Sequence, residues 1–188
     1  MVGIAVITAI VVVLQFLGSF IKFGQFSISL VLIPIVVGTA LYGVGAGAWL
    51  GLAFGVTVLI SGDAAAFLAI SPAGTVVTVL LKGILAGLIS GLVYKAIEKK
   101  NSVVATIVAA VVCPIVNTGV FLIGCLIFFM PTINEWAAGA GYESAGAYMI
   151  AGLVGFNFLF ELAVNIILSP TIVKIVRLGK KENKKIGD

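Results

Sequence analysis

AYMIAGLVGFNFLFELAVNIILSPTIV, residues 147–173, is an apolar run whose one charged residue is Glu161. A bilayer crossing takes about 20 consecutive apolar residues, so this run reads as a membrane helix. Inside it Asn157, Glu161 and Asn165 stand four residues apart each time. At about 3.6 residues per turn those positions drift by only about 40° per step and lie on one stripe. Lipid offers no partner to an amide or a carboxyl, so the stripe faces protein or a cavity. Asn157, nearest the outer half of the membrane, is expected to touch what fills that cavity, with Glu161 and Asn165 deeper.

The rest of the chain has the same character. Of its 188 residues 62% are hydrophobic and 10% are charged, with a mean hydropathy of +1.30. Soluble domains carry about 25% charged residues. The chain is therefore an all-α integral membrane protein, with residues 1–188 forming a single membrane domain. Gly, Pro and charge punctuate it into six apolar segments at 2–21, 29–42, 44–61, 72–95, 102–129 and 147–173, which predict a compact six-helix bundle. Met1 to Phe20 has no charged start and no small-residue cleavage site, and is expected to be a retained helix and not a signal peptide.

Charge orients the bundle. Lys95, Lys99 and Lys100 separate the fourth and fifth segments, and Lys174, Arg177, Lys180, Lys181, Lys184 and Lys185 follow the sixth, making nine of the eleven basic residues. The positive-inside rule puts that loop and the basic tail 174–188 in the cytoplasm, and an even number of crossings brings the N-terminus to the same side. The outer connections are then 22–28, 62–71 and 130–146, holding Asp63, Glu135 and Glu143 but only one base, Lys22. A solvated basic tail beside a membrane needs no nucleic acid to explain it.

Several chemistries are excluded. The chain has no His and two Cys, and Cys113 and Cys125 fall on one predicted helix roughly 18 Å apart, beyond disulfide reach. No His or Cys metal site and no Ser-His-Asp triad can be built, and no cofactor is expected. GVGAGAWLG at 43–51 lacks the spacing of a nucleotide loop, and no Walker motif is present. Gly47, Gly51 and Gly55 in the third segment, with Gly83, Gly87 and Gly91 in the fourth, suit close helix packing in lipid. Ala5 and Ala9 repeat the spacing in the first.

Lys82 and Glu161 are the ionisable residues inside the predicted spans. Lys82 lies about 15 Å and Glu161 about 21 Å from the outer ends of their helices. A lysine stem covers several ångströms, so the two can form an interhelical ion pair; alternatively Lys82 is left for an anionic group of a substrate. Thr75, Thr78 and Lys82 share a face of the fourth segment. In the fifth, CPIVNTGVF places Asn117 and Thr118 just after Pro114, with Phe121 one turn further on. Three polar-bearing helices converging at similar depth suit a small-molecule pocket with apolar walls and a few placed polar groups. The outer loops, carrying Phe67 in one and Trp136, Tyr142 and Tyr148 in and beside the other, suit a gate, although aromatic residues at that level also serve as interface anchors. The expected substrate-binding set is Thr75, Thr78, Lys82, Asn117, Phe121, Trp136, Asn157 and Glu161.

The whole pattern resembles the substrate-binding S components of energy-coupling-factor (ECF) vitamin transporters. The resemblance covers nearly the full chain: its length, its six segments, and the Ala-x-x-x-Ala of helix one, here Ala5-Val6-Ile7-Thr8-Ala9. FSISLVLIPIVVGTALYGVGAGAWLGLAFG, residues 26–55, is similar to the corresponding region of the branch that includes pantothenate, riboflavin and folate carriers. The resemblance implies an outward-facing vitamin pocket built largely by helices four to six and the outer loops. It also implies docking through Ala5 and Ala9 onto a membrane coupling subunit, two cytoplasmic ATPases, and a bacterial plasma membrane. Riboflavin carriers of this branch tend to have an acid in the stretch FSISLVLIP, where this chain offers only Ser27 and Ser29. Thiamine carriers use aromatic cages and acids, and no acid lies in the outer halves of helices four and five. A neutral-to-anionic vitamin bearing amide and hydroxyl groups suits Lys82, Asn117, Asn157 and Thr78 better, with pantothenate first. The competing class is a stand-alone transporter coupled to protons through Glu161, or a small channel; the inverted repeats that would support a transporter are not found.

Overall fold

The structure, a computed structural model, describes residues 2–20, 22–23, 26–27 and 30–187. Ser29 and the side chains of Lys22, Ser27, Lys184 and Lys185 lie outside the described residues. The chain is helical apart from one two-residue antiparallel ladder, β1 (Lys22–Phe23) with β2 (Phe26–Ser27). Its helices are α1 (Val2–Ser19), α2 (Leu32–Tyr42), α3 (Val44–Ile60), α4 (Ala65–Ile70), α5 (Pro72–Glu98), α6 (Ser102–Phe128), α7 (Met130–Gly139), α8 (Ala145–Ala147) and α9 (Phe156–Gly187). A π-helical stretch, Tyr148–Gly155, joins α8 to α9.

Four helical runs are long and apolar enough to cross a bilayer: Val2–Ser19, Pro72–Glu98, Ser102–Phe128 and Ala145–Glu182. The segments expected at 29–42 and 44–61 are helical but shorter, 11 residues in α2 and 17 in α3. At 1.5 Å per residue α2 is about 17 Å long, little more than half of a 30 Å hydrocarbon core. Its first turn holds Pro34, a residue tolerated there because its missing N–H has no helical acceptor. Gly43, at φ 92°, makes the corner between α2 and α3. The sixth segment is longer than expected. α9 runs on through Pro170 to Gly187, so the described part of the stretch expected as a tail is a helical extension.

Local caps set the two central helices. Ser71 caps α5 by accepting from the Gly74 N–H, with Pro72 in the first turn, and Asn101 caps α6 by accepting from the Val103 and Val104 N–H groups. Pro114 sits inside α6 without ending it. α5 is the hub, packed between α3 and α6. Against α3 it packs through glycine: a Cβ on Gly51 would strike the Gly83 carbonyl, and one on Gly47 the Gly87 carbonyl. Against α6 it runs antiparallel, with Gly74 at Phe128, Thr78 at Gly124, Lys82 at Phe121 and Ser90 at Cys113. Both cysteines are buried and free. The core of one half is Val11, Leu32, Ile35, Leu50, Phe54 and Ile172, while Phe67, Phe121, Phe129, Ile133 and Tyr148 form a second core at the end that carries α4 and α7.

Candidate functional site

At that second end a cavity opens between α1, α3, α4, α5 and α6. α5 supplies Thr75, Thr78, Val79 and Lys82, α6 supplies Phe121, and Phe129 follows it. α1 contributes Gln15, α3 Val58, the turn after α3 Asp63 and Ala64, and α4 Phe67. The cavity encloses about 40 Å³. That is room for a few waters, against the ~300–1,000 Å³ of ordinary ligand pockets.

Aromatic side chains close it. The Phe67 ring meets Phe121, Phe129 and Trp136 edge to face, with centroid separations of 5.5, 5.0 and 5.6 Å. Phe67 is held by α4 and Trp136 by α7, so the connection after α3 and the one after α6 meet over the cavity. Trp136 stands behind Phe67 and not in the cavity wall.

Lys82 is the cation of the site. Its Nζ lies 5.5 Å from the ring centroids of both Phe54 and Phe121. Such contacts recover about 0.5–2 kcal/mol, less than the cost of withdrawing an ammonium from water. The fields of the Glu161 and Asp63 carboxylates act on it, Glu161's more strongly. Among the described residues neither a hydrogen bond nor an ion pair engages the Lys82 ammonium. Beside it the hydroxyl oxygen of Thr78 is buried without a hydrogen-bond partner.

Thr75, Thr78, Lys82 and Phe121 thus share one cavity wall. Asn117, Asn157 and Glu161 do not line it, although they too are buried, at 5%, 8% and 6% exposure. The expectation that Asn157 reaches the cavity is corrected, since no described residue of α9 lines it; the π-helical stretch just before it places Tyr148, Met149 and Leu153 in the core with Phe121. Among the described residues the side-chain oxygens of Asn117, Asn157 and Asn165 have no hydrogen-bond partner, while Asn165 Nδ2 donates to the Glu161 carbonyl at 2.8 Å.

The family model described as "ECF transporter, substrate-specific component" matches residues 1–173. The chain belongs to this family. Comparison with individual curated proteins gives no match. The chain is therefore a multi-pass membrane subunit that binds substrate for an ECF transporter, and the matched span covers every helix except the far end of α9.

Two further features of this S component bear on its role. Ala5 and Ala9 are exposed on α1, and Trp49 of α3 donates to Thr8 Oγ1 at 3.2 Å on the same surface. The opposite face of α1 buries Val11 and Gln15. Gln15 is the site residue that sequence reasoning passed over. Its signal was available: a primary amide in the middle of an otherwise apolar helix.

Proposed function

We propose that this S component captures a water-soluble vitamin or precursor, the anion pantothenate first and then folate or the uncharged riboflavin, at the end of the bundle closed by α4 and α7. The observation that carries the reading is the Lys82 ammonium, which lines the cavity with aromatic faces for neighbours and the unpartnered Thr78 hydroxyl beside it. A carboxylate entering there gives the ammonium its counter-ion, and hydroxyl or amide groups of the same molecule meet Thr78 and Thr75. Asn117, Asn157 and Glu161 serve as a deeper polar layer under this site. Because the closed cavity is smaller than a vitamin, binding requires α4 and α7 to draw Phe67 and Trp136 aside.

In this reading α2 and α3 complete six crossings, both termini are cytoplasmic and the membrane is a bacterial plasma membrane. A membrane coupling subunit docks on Ala5 and Ala9, and two cytoplasmic ATPases supply the energy that the chain, lacking a Walker motif, cannot supply itself. Calorimetry of the folded chain in detergent against pantothenate, folate and riboflavin tests the reading. It expects 1:1 binding without ATP, tightest for pantothenate; binding of none of the three overturns it.

A further inference from the structure

Gln15 lies on α1, outside the helices that carry Lys82 and the threonines. It is 1% exposed and lines the cavity. Its Nε2 donates to Asp63 Oδ2 at 2.5 Å, and Asp63 lines the same cavity from the turn between α3 and α4. This bond fixes which way the amide points. With the amide nitrogen donating to Asp63, the carbonyl oxygen faces away from it. Among the described residues Gln15 makes this one side-chain hydrogen bond, and its oxygen is not among the fully buried polar atoms left without a partner. An acceptor open to the cavity is met by water until a bound donor replaces it, an exchange worth about 0.5–1.5 kcal/mol.

We propose that Gln15 is a specificity-determining residue: its carbonyl oxygen, oriented by Asp63, accepts a hydrogen bond from a hydroxyl or amide N–H of the bound substrate. The inference rests on the proposed anionic ligand and adds a second requirement to it. With Lys82 on α5 and the Gln15–Asp63 pair reaching in from α1 and the α3–α4 turn, the cavity is bipolar. It takes a molecule that is an anion at one end and a hydrogen-bond donor at the other.

The test is calorimetry on the full chain in detergent, with pantothenate, folate and riboflavin as probes. Whichever binds the wild type is compared with an analogue of it lacking one hydroxyl or amide N–H donor, each such donor being deleted in turn. Gln15→Leu is expected to weaken the parent compound about ten- to a hundredfold and to abolish the wild type's preference for it over one of the analogues. Loss of preference is the decisive readout, because a packing defect weakens both compounds alike. Asp63→Asn frees the amide to turn over, and is expected to lose part of the same preference; it decides the matter if Gln15→Leu does not fold. The two changes share one interaction, so the double variant is no weaker than Gln15→Leu alone. Wild-type preference in both single variants overturns the role of Gln15 while leaving the anionic-vitamin reading intact. A wild type that binds none of the three probes overturns both.

Discussion

Gly51 and Gly83 meet backbone to backbone, so that a methyl group on Gly51 would run into the Gly83 carbonyl oxygen and one on Gly83 into that of Gly51. The contact fixes α3 against α5, and α5 carries Thr75, Thr78 and Lys82. Gly51→Ala should therefore lower stability by about 1–3 kcal/mol, the usual cost of overpacking. Gly119→Ala, where no atom lies within 4 Å of the added Cβ, should cost nothing measurable. Thermal unfolding in detergent followed by circular dichroism compares the two. Equal midpoints would mean that the helices separate freely at this contact.

The aromatic cover gives a kinetic prediction. Phe67 touches Phe121, Phe129 and Trp136, so Phe67→Ala should remove the plug and speed both association and dissociation of ligand. In a Trp49→Phe background Trp136 is the sole tryptophan, and its stopped-flow fluorescence reports entry directly. Unchanged rates would show that ligand enters elsewhere.

Ala5 and Ala9 are exposed while Gln15, on the buried face of the same helix, lines the cavity. Ala5→Trp or Ala9→Trp should abolish uptake and co-purification with the coupling subunit and leave ligand affinity nearly unchanged. Affinity and uptake falling together would make α1 a pocket element on both faces.

Asn165 is 1% exposed and donates to the Glu161 carbonyl, away from the cavity. Asn165→Ala should lower the unfolding midpoint by the loss of one buried hydrogen bond, about 0.5–1.5 kcal/mol, with ligand affinity intact. Calorimetry on the variant separates the two effects.

Much of this fold was legible in the sequence, and the reasons are local. All six apolar segments appear as helices. The starts of α5 and α6 were readable at Pro72 and Ser102 because Ser71 and Asn101 are ordinary helix caps next to a proline and an apolar run. The short helices α4 and α7 were not read, since AAFLAI and MPTINEWAAG are too short to show a helical period. The π-helical stretch was hidden because a change of hydrogen-bond register leaves no mark on composition. Asn157, just beyond that stretch, is not in the cavity wall. The site was half legible: intramembrane charge singled out Lys82, and spacing brought Thr75 and Thr78 with it. Gln15 stands out as an amide in an apolar helix, but its pairing with Asp63, in a turn 48 residues away, is a tertiary contact that no local pattern encodes.

The account stands or falls on what Lys82 binds. Calorimetry of wild type and Lys82→Met with pantothenate and with its alcohol analogue isolates the carboxylate from everything else in the molecule. A charge-assisted hydrogen bond is worth about 1.5–3 kcal/mol, so Lys82→Met should weaken pantothenate about ten- to a hundredfold and the alcohol far less. If both compounds weaken equally, and Lys82→Met combined with Glu161→Gln restores the stability that either change removes, then Lys82 serves Glu161 and not the substrate.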